Sequence, residues 1–214
     1  ATIDIGTNTT LLLIAKMSTD GSVIVVEDIA KLPRLGEDLA KQNILTAAAQ
    51  HRTIAVLQEF KEICDQHNVT NIAAVGTAAL RRAENSSEFI KAVATKTGIE
   101  IEIISAEKEA QLSFAAAKKD FGKEILVLDI GGGSAELIKS DDRCDNSWVS
   151  LPFGTVTLTE KFLASDPVTA DELHELCTYI DSQIKSISPA NHATLVATAG
   201  TPTTGRRRVP SAFP

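Results

Sequence analysis

Two stretches of this 214-residue chain repeat one another. Ile3-Asp4-Ile5-Gly6-Thr7-Asn8-Thr9 and Leu128-Asp129-Ile130-Gly131-Gly132-Gly133-Ser134 align residue for residue at a constant offset, and an apolar run follows each. Later in each half another apolar run ends in Gly-Thr, first at Gly76-Thr77 and again at Gly200-Thr201, at nearly the same distance behind its turn. Two order-preserving signals are harder to produce by chance than one. They imply two related α/β domains, each presenting a glycine turn to a shared cleft. The expected boundary lies within residues 115–124, so that 1–118 forms the first domain and 119–214 the second.

Periodicity fills in the elements between these signals. Ile3 and Ile5, Leu11 to Ile14 and Val23 to Val26 read as three successive strands. Ile54, Leu57, Phe60, Ile63 and Cys64 recur at helical spacing, which predicts a helix over 46–67 with Thr46 as its cap and Asn68 ending it. Ile72 to Val75 predicts a buried strand, Ser86 or Ser87 the cap of a further helix, and Ile99 to Ile104 another strand. A helix over 106–119 then leads into the apolar strand Ile125 to Leu128. Thr169 and Glu172 form a capping box before Leu173, Leu176, Ile180, Ile184 and Ile187, an amphipathic helix, and Leu195 to Ala197 is a short strand.

The chemistry of the two turns follows from their composition. A phosphate needs several donors aimed inward, and a glycine-containing turn supplies backbone N–H groups because the missing Cβ permits close approach. The candidates are Gly6, Thr7, Asn8 and Thr9 in the first turn, and Gly131, Gly132, Gly133 and Ser134 in the second, with Thr9 and Ser134 adding hydroxyls. Asp4 and Asp129 would repel a bare phosphate at contact range, an arrangement that makes sense with a hard cation such as Mg²⁺ between them. Either motif alone also fits an ordinary β-hairpin whose Asp caps its own turn.

Four segments in order then carry a resemblance: Asp4 to Thr9, Ala74-Val75-Gly76-Thr77-Ala78-Ala79-Leu80-Arg81, Ile104-Ser105-Ala106-Glu107-Lys108-Glu109-Ala110, and Asp129 to Glu136. Together they resemble the signatures of the exopolyphosphatase and guanosine-pentaphosphatase family, and Phe153-Gly154-Thr155-Val156 and Ala199-Gly200-Thr201 fit it too. The first and fourth alone would indicate only the wider actin, Hsp70 and sugar-kinase superfamily. The resemblance implies an α/β protein with duplicated actin-like ATPase (ribonuclease H-like) domains. It also implies Mg²⁺-dependent removal of terminal phosphate from inorganic polyphosphate or guanosine pentaphosphate. Glu109 falls on the family's catalytic glutamate, with Lys108 replacing a frequent Glu, and Glu136 resembles a family residue near the metal. Arg81, after a Gly-Thr strand end, can set a guanidinium fork on a phosphate. Arg34, in Leu32-Pro33-Arg34-Leu35-Gly36-Glu37, resembles a family loop and is either a substrate contact or a solvated loop residue.

Composition excludes other classes. A net charge of −7 gives no general footprint for nucleic acid or an anionic membrane, so a polyanionic substrate must meet local positive charge. Cys64, Cys144 and Cys177 form no CxxC pair and suit a reducing cytoplasm. His51, His67, His174 and His192 are isolated, which argues against a zinc site. No apolar run approaches the roughly 20 residues of a membrane helix. Ala1 stands where Met is usual, so the chain is expected to begin slightly inside its gene product. Gly205 to Pro214, with Arg206-Arg207-Arg208, reads as a tail replacing the last layer of the second domain, which is expected to be incomplete. A phosphotransferase of the acetate- or sugar-kinase type and a non-enzymatic nucleotide sensor remain alternatives, and a homodimer stays open.

Overall fold

The computed structural model describes residues 1–122, 124–139, 147–185, 187 and 194–200. Cys144, His192, Thr201 and the segment 205–214 lie outside the described residues. The chain divides into two compact units, Ala1–Ser105 and Ala106–Pro214.

In the first unit, strands β1 (Thr2–Ile5), β2 (Thr10–Met17), β3 (Val23–Lys31), β4 (Ala73–Gly76) and β5 (Ile101–Ile103) form a sheet of order β3-β2-β1-β4-β5. The β1–β2 and β2–β3 pairs are antiparallel, whereas β1–β4 and β4–β5 are parallel. Parallel neighbours need crossover connections, which α1 (Leu39–Gln42), α2 (Ala47–Gln66), α3 (Ala78–Arg82) and α4 (Ser86–Thr97) supply. Strand alternation sends Ile3, Ile5, Leu12 and Ile14 to one face, where they bury against Leu57, Phe60, Phe89 and Val93. Full burial of Phe60 and Phe89 contributes roughly 2–3 kcal/mol each.

The second unit repeats the topology. Helix α5 (Ala106–Phe121) precedes β6 (Ile125–Ile130), β7 (Ala135–Lys139) and β8 (Ser147–Leu151); α6 (Thr155–Phe162) and α7 (Ala170–Ile184) then lead to β9 (Thr194–Thr198). Its sheet order, β8-β7-β6-β9, matches β3-β2-β1-β4, with β6–β7 antiparallel and β6–β9 parallel. The internal repeat read from sequence is therefore a repeat of strand order and direction.

Helix α5 belongs to the second unit, although the expected division after residue 118 assigns it to the first. Its apolar face, Ala110, Phe114 and Ala117, packs with Ile125, Val127, Ile138 and Val196 of the second sheet. Ala135, Leu151 and Phe153 form a separate cluster with Ile130, Tyr179 and Ile180, so α7 lies on the sheet's other face.

Several local expectations hold. The Thr46 hydroxyl accepts from the Ala49 N–H at 3.2 Å, Asn68 ends α2 in a left-handed conformation, and Thr169 and Glu172 cap α7 reciprocally. The start of α4 differs: Asn85 occupies the cap position ahead of Ser86, and its amide instead pairs both ways with the Leu45 backbone, at 2.8 and 3.0 Å. No helix among the described residues is long and apolar enough to cross a membrane.

Candidate active site

The second hairpin collects the acids. Asp129 on β6 and Glu136 on β7 stand directly opposite each other. Alternation puts Asp129 on the face of Ile125 and Val127, and Glu136 on that of Ile138, so both carboxylates share the face covered by α5. Between them runs the turn Gly131–Ser134, closed by a bond from the Gly131 N–H to the Ser134 carbonyl at 3.0 Å.

Helix α5 brings the remaining groups. Glu109 is half-buried on the stripe of Ala110, Ser113, Phe114 and Ala117, whereas Glu107 and Lys108 are exposed. The expected catalytic glutamate thus points inward with the helix's buried face. One turn further on, the Ser113 hydroxyl donates to Asp129 Oδ2 at 2.5 Å.

Glu136 is the most perturbed acid of this face. It is 2% exposed, and its carboxyl is pushed up to about 7, first by burial and then by the negative charge of Glu109. Hydroxyl donors from Ser134 and Ser150, the latter at 3.0 Å, offset part of that shift, and Asp129 adds to it. Like charges directly across a β-ladder are unfavourable. Concentrated, partly buried carboxylate oxygen is the donor chemistry a hard divalent cation relieves. Among the described residues no group of three or more His, Cys, Asp or Glu is arranged to hold a metal ion. A pair of carboxylates nevertheless matches Mg²⁺, which is commonly bound through one or two carboxylates together with water and substrate phosphate.

The first unit carries the matching turn. Gly6 N–H donates to the Thr9 carbonyl at 2.9 Å, the same closure as in the second turn. Asp4 stands opposite Leu11, however, so this hairpin has one acid where the other has two. Arg81 is half-buried on α3, and its Nη1 donates to the Ile104 carbonyl at 2.9 Å; Arg82 is exposed. Arg34 adopts a left-handed backbone (φ 56°), a conformation sparsely populated by non-glycine residues and frequent near functional sites. Its N–H donates to the Asn8 carbonyl at 3.1 Å while its side chain is largely exposed. Arg52 holds this loop to α2 through the Pro33 carbonyl and Glu37.

Within the second unit, one sheet face and one hairpin thus bring together Glu109, Asp129 and Glu136, beside Gly131 to Ser134. Asp4, Gly6 to Thr9 and Arg81 belong to the first unit. Sequence reasoning missed Ser113, Ser150 and Arg52, since a lone hydroxyl or arginine carries no motif. It also left without a role Gly36 and Gly154, whose only sequence signal was a place in loops resembling a known family.

Comparison with known proteins follows the same lines. The family model described as Ppx/GppA phosphatase family matches residues 13–209. The bifunctional 3-dehydroquinate synthase/phosphatase of Fusobacterium nucleatum is 33% identical over 95% of this chain and 33% of its own length. Exopolyphosphatase 1 of Mycobacterium bovis is 30% identical over 94% of this chain and 58% of its own. The chain thus spans about a third of one relative and little more than half of the other. The crystal structure of the Aquifex aeolicus member of the Ppx/GppA protein family superposes with a TM-score of 0.74 at 31% identity, covering 95% of this chain and 66% of that one. The duplicated architecture is the actin-like ATPase fold.

Proposed function

This chain belongs to the Ppx/GppA phosphatase family, and on that premise we propose that the protein it represents is a phosphohydrolase releasing terminal orthophosphate from inorganic polyphosphate or guanosine pentaphosphate in the cytoplasm. The observation that carries the reading is the half-buried Glu109 on α5, electrostatically coupled to Glu136, whose cross-strand partner is Asp129.

Glu109 is the general base. Its carboxylate accepts a proton from water as the water oxygen attacks the terminal phosphorus, and the bond from that phosphorus to the bridging oxygen breaks. The shortened chain or the nucleotide leaves with the bridging oxygen. The N–H groups of Gly6 and Gly131 close their own turns, which leaves the amides of Gly132 to Ser134, and in the first unit those of Thr7 to Thr9, as the donors proposed for phosphate oxygens and the charge that develops on them. Asp129 and Glu136 are the proposed Mg²⁺ ligands of the second hairpin, and Asp4, at the equivalent strand position of the first, is the third candidate. When bound, the metal neutralises phosphate charge. Arg81, whose Nη1 donates to the Ile104 carbonyl, is the proposed guanidinium contact to a phosphate.

The test is phosphate release by the full-length protein from polyphosphate, guanosine pentaphosphate and ATP with Mg²⁺. Glu109→Gln is expected to abolish release while retaining polyphosphate binding; normal turnover in that variant would reject the assignment. Transfer from ATP that requires an acceptor would favour a phosphotransferase, and nucleotide binding without turnover a sensor.

A further inference from the structure

Each of the two turns is backed by a glycine that lies outside it. In the second unit, the Thr155 N–H donates to the Gly131 carbonyl at 3.0 Å, and the N–H groups of Val156 and Thr157 donate to the Gly132 carbonyl at 2.9 and 3.3 Å. The start of α6 therefore rests on the turn's carbonyls. Gly154 makes this approach possible: a Cβ there would lie 2.5 Å from the Gly131 oxygen and from the Gly132 carbonyl carbon. In the first unit, the Gly36 N–H donates to the Thr7 carbonyl at 2.8 Å and the Arg34 N–H to the Asn8 carbonyl at 3.1 Å. A Cβ on Gly36 would lie 2.3 Å from Thr7 Cγ2. Gly132 and Thr7 occupy the same place in the repeat, and both carbonyls are held in this way.

Peptide geometry converts these bonds into a direction. In a planar trans peptide the carbonyl and the following N–H point oppositely. Drawing the Gly131 and Gly132 carbonyls toward α6 turns the N–H groups of Gly132 and Gly133 away from it. Drawing the Thr7 and Asn8 carbonyls toward the 34–36 loop does the same for the N–H groups of Asn8 and Thr9. Three consecutive glycines, Gly131 to Gly133, give the second turn little intrinsic preference for either peptide orientation. The first turn has Gly6 alone, yet in both a partner outside the turn holds the carbonyls, a loop in one unit and a helix start in the other.

We propose that Gly36 and Gly154 are positioning residues that fix the amide donors of the two turns in the orientation required to bind phosphate. The inference rests on the reading of these turns as phosphate sites. It adds that their competence is set by the neighbouring glycine rather than by the turn residues alone.

Amide chemical shifts of the ¹⁵N-labelled protein, titrated with sodium tripolyphosphate, report each turn separately. In the wild-type protein the N–H signals of Asn8, Thr9, Gly132 and Gly133 are expected to move. If they stay still, the phosphate reading itself fails. In Gly154→Ala the affinity reported by Gly132 and Gly133 is expected to fall roughly tenfold to a hundredfold, the scale of a small misplacement of binding groups. Gly36→Ala is expected to weaken Asn8 and Thr9 in the same way. The double variant Gly36→Ala with Thr7→Ser removes the Cγ2 that a Cβ would strike and is expected to recover first-turn affinity. Shifts and affinities equal to wild type in both single variants overturn the inference while sparing the phosphate reading. Should Gly154→Ala lose its folded spectrum, the Gly36 series decides: a folded double variant that fails to recover affinity also overturns it.

Discussion

The hydroxyl of Ser113 donates to Asp129 Oδ2 at 2.5 Å, and Ser113 stands one helical turn beyond Glu109 on the same face of α5. The bond ties the helix bearing the proposed base to the strand bearing a proposed metal ligand. Outer partners of this kind typically carry 10–100-fold effects on metal affinity or activity. Ser113→Ala is expected to lower kcat/KM for phosphate release about tenfold and to raise the Mg²⁺ concentration needed for half-maximal rate, whereas Ser113→Thr retains most activity. Steady-state release across a Mg²⁺ series checks both, and an unchanged Mg²⁺ requirement in the alanine variant refutes the coupling.

Glu136 makes stability pH-dependent in the metal-free protein. Its folded-state value of about 7 lies above the ordinary 4.5, so the folded form holds this proton more tightly than the unfolded chain does. That contribution is fully present below pH 4.5 and is lost as pH rises through 7. Thermal unfolding in EDTA is expected to show Tm falling over this window from this group, and Glu136→Gln to remove that part of the slope and to raise Tm at pH 8. A variant curve parallel to wild type would contradict the assignment.

Glu172 acts with the opposite sign. Its carboxylate accepts from the Thr169 N–H and hydroxyl and from the N–H groups of Ala164 and Ser165, which hold its value down to about 2. The stabilisation is present above pH 4.5 and disappears as pH falls toward 2. Glu172→Gln is expected to lower Tm at pH 7, with the gap to wild type closing in acid. Paired melts at pH 7 and pH 3 measure this.

Thr10 is fully buried, and its hydroxyl has no hydrogen-bond partner among the described residues. An unsatisfied buried hydroxyl costs stability, and an isosteric methyl removes that cost. Thr10→Val is expected to stabilise the protein by about 1 kcal/mol in denaturant unfolding; a loss of that size would show that the hydroxyl is satisfied in solution.

What could be read from sequence was local. The Asp-Gly turns, the Thr46 cap and the Thr169–Glu172 box announce themselves through residue types whose backbone preferences act over a few positions. The allegiance of α5 could not be read this way. The spacing of Ala110, Phe114 and Ala117 says that one helix face is buried, but not against which sheet, and only packing with Val127, Ile138 and Val196 decides it. Ser113 was invisible for a related reason: its partner depends on how that helix lies on β6. Asn85 was missed because it pairs with Leu45 across a long sequence separation.

The placement of α5 bears on how this protein can change. Glu109, Ser113, Asp129, the glycine turn and Glu136 follow one another along a single contiguous stretch, beginning just after the junction of Ser105 and Ala106. A genetic exchange at that junction would replace the first unit wholesale, with its turn, its Arg34 loop and Arg81, and leave every acid of the second hairpin in register with its helix. New first units could thus be tried against an inherited set of proposed catalytic acids, whereas a break after residue 118 would separate Glu109 from the sheet its helix packs on.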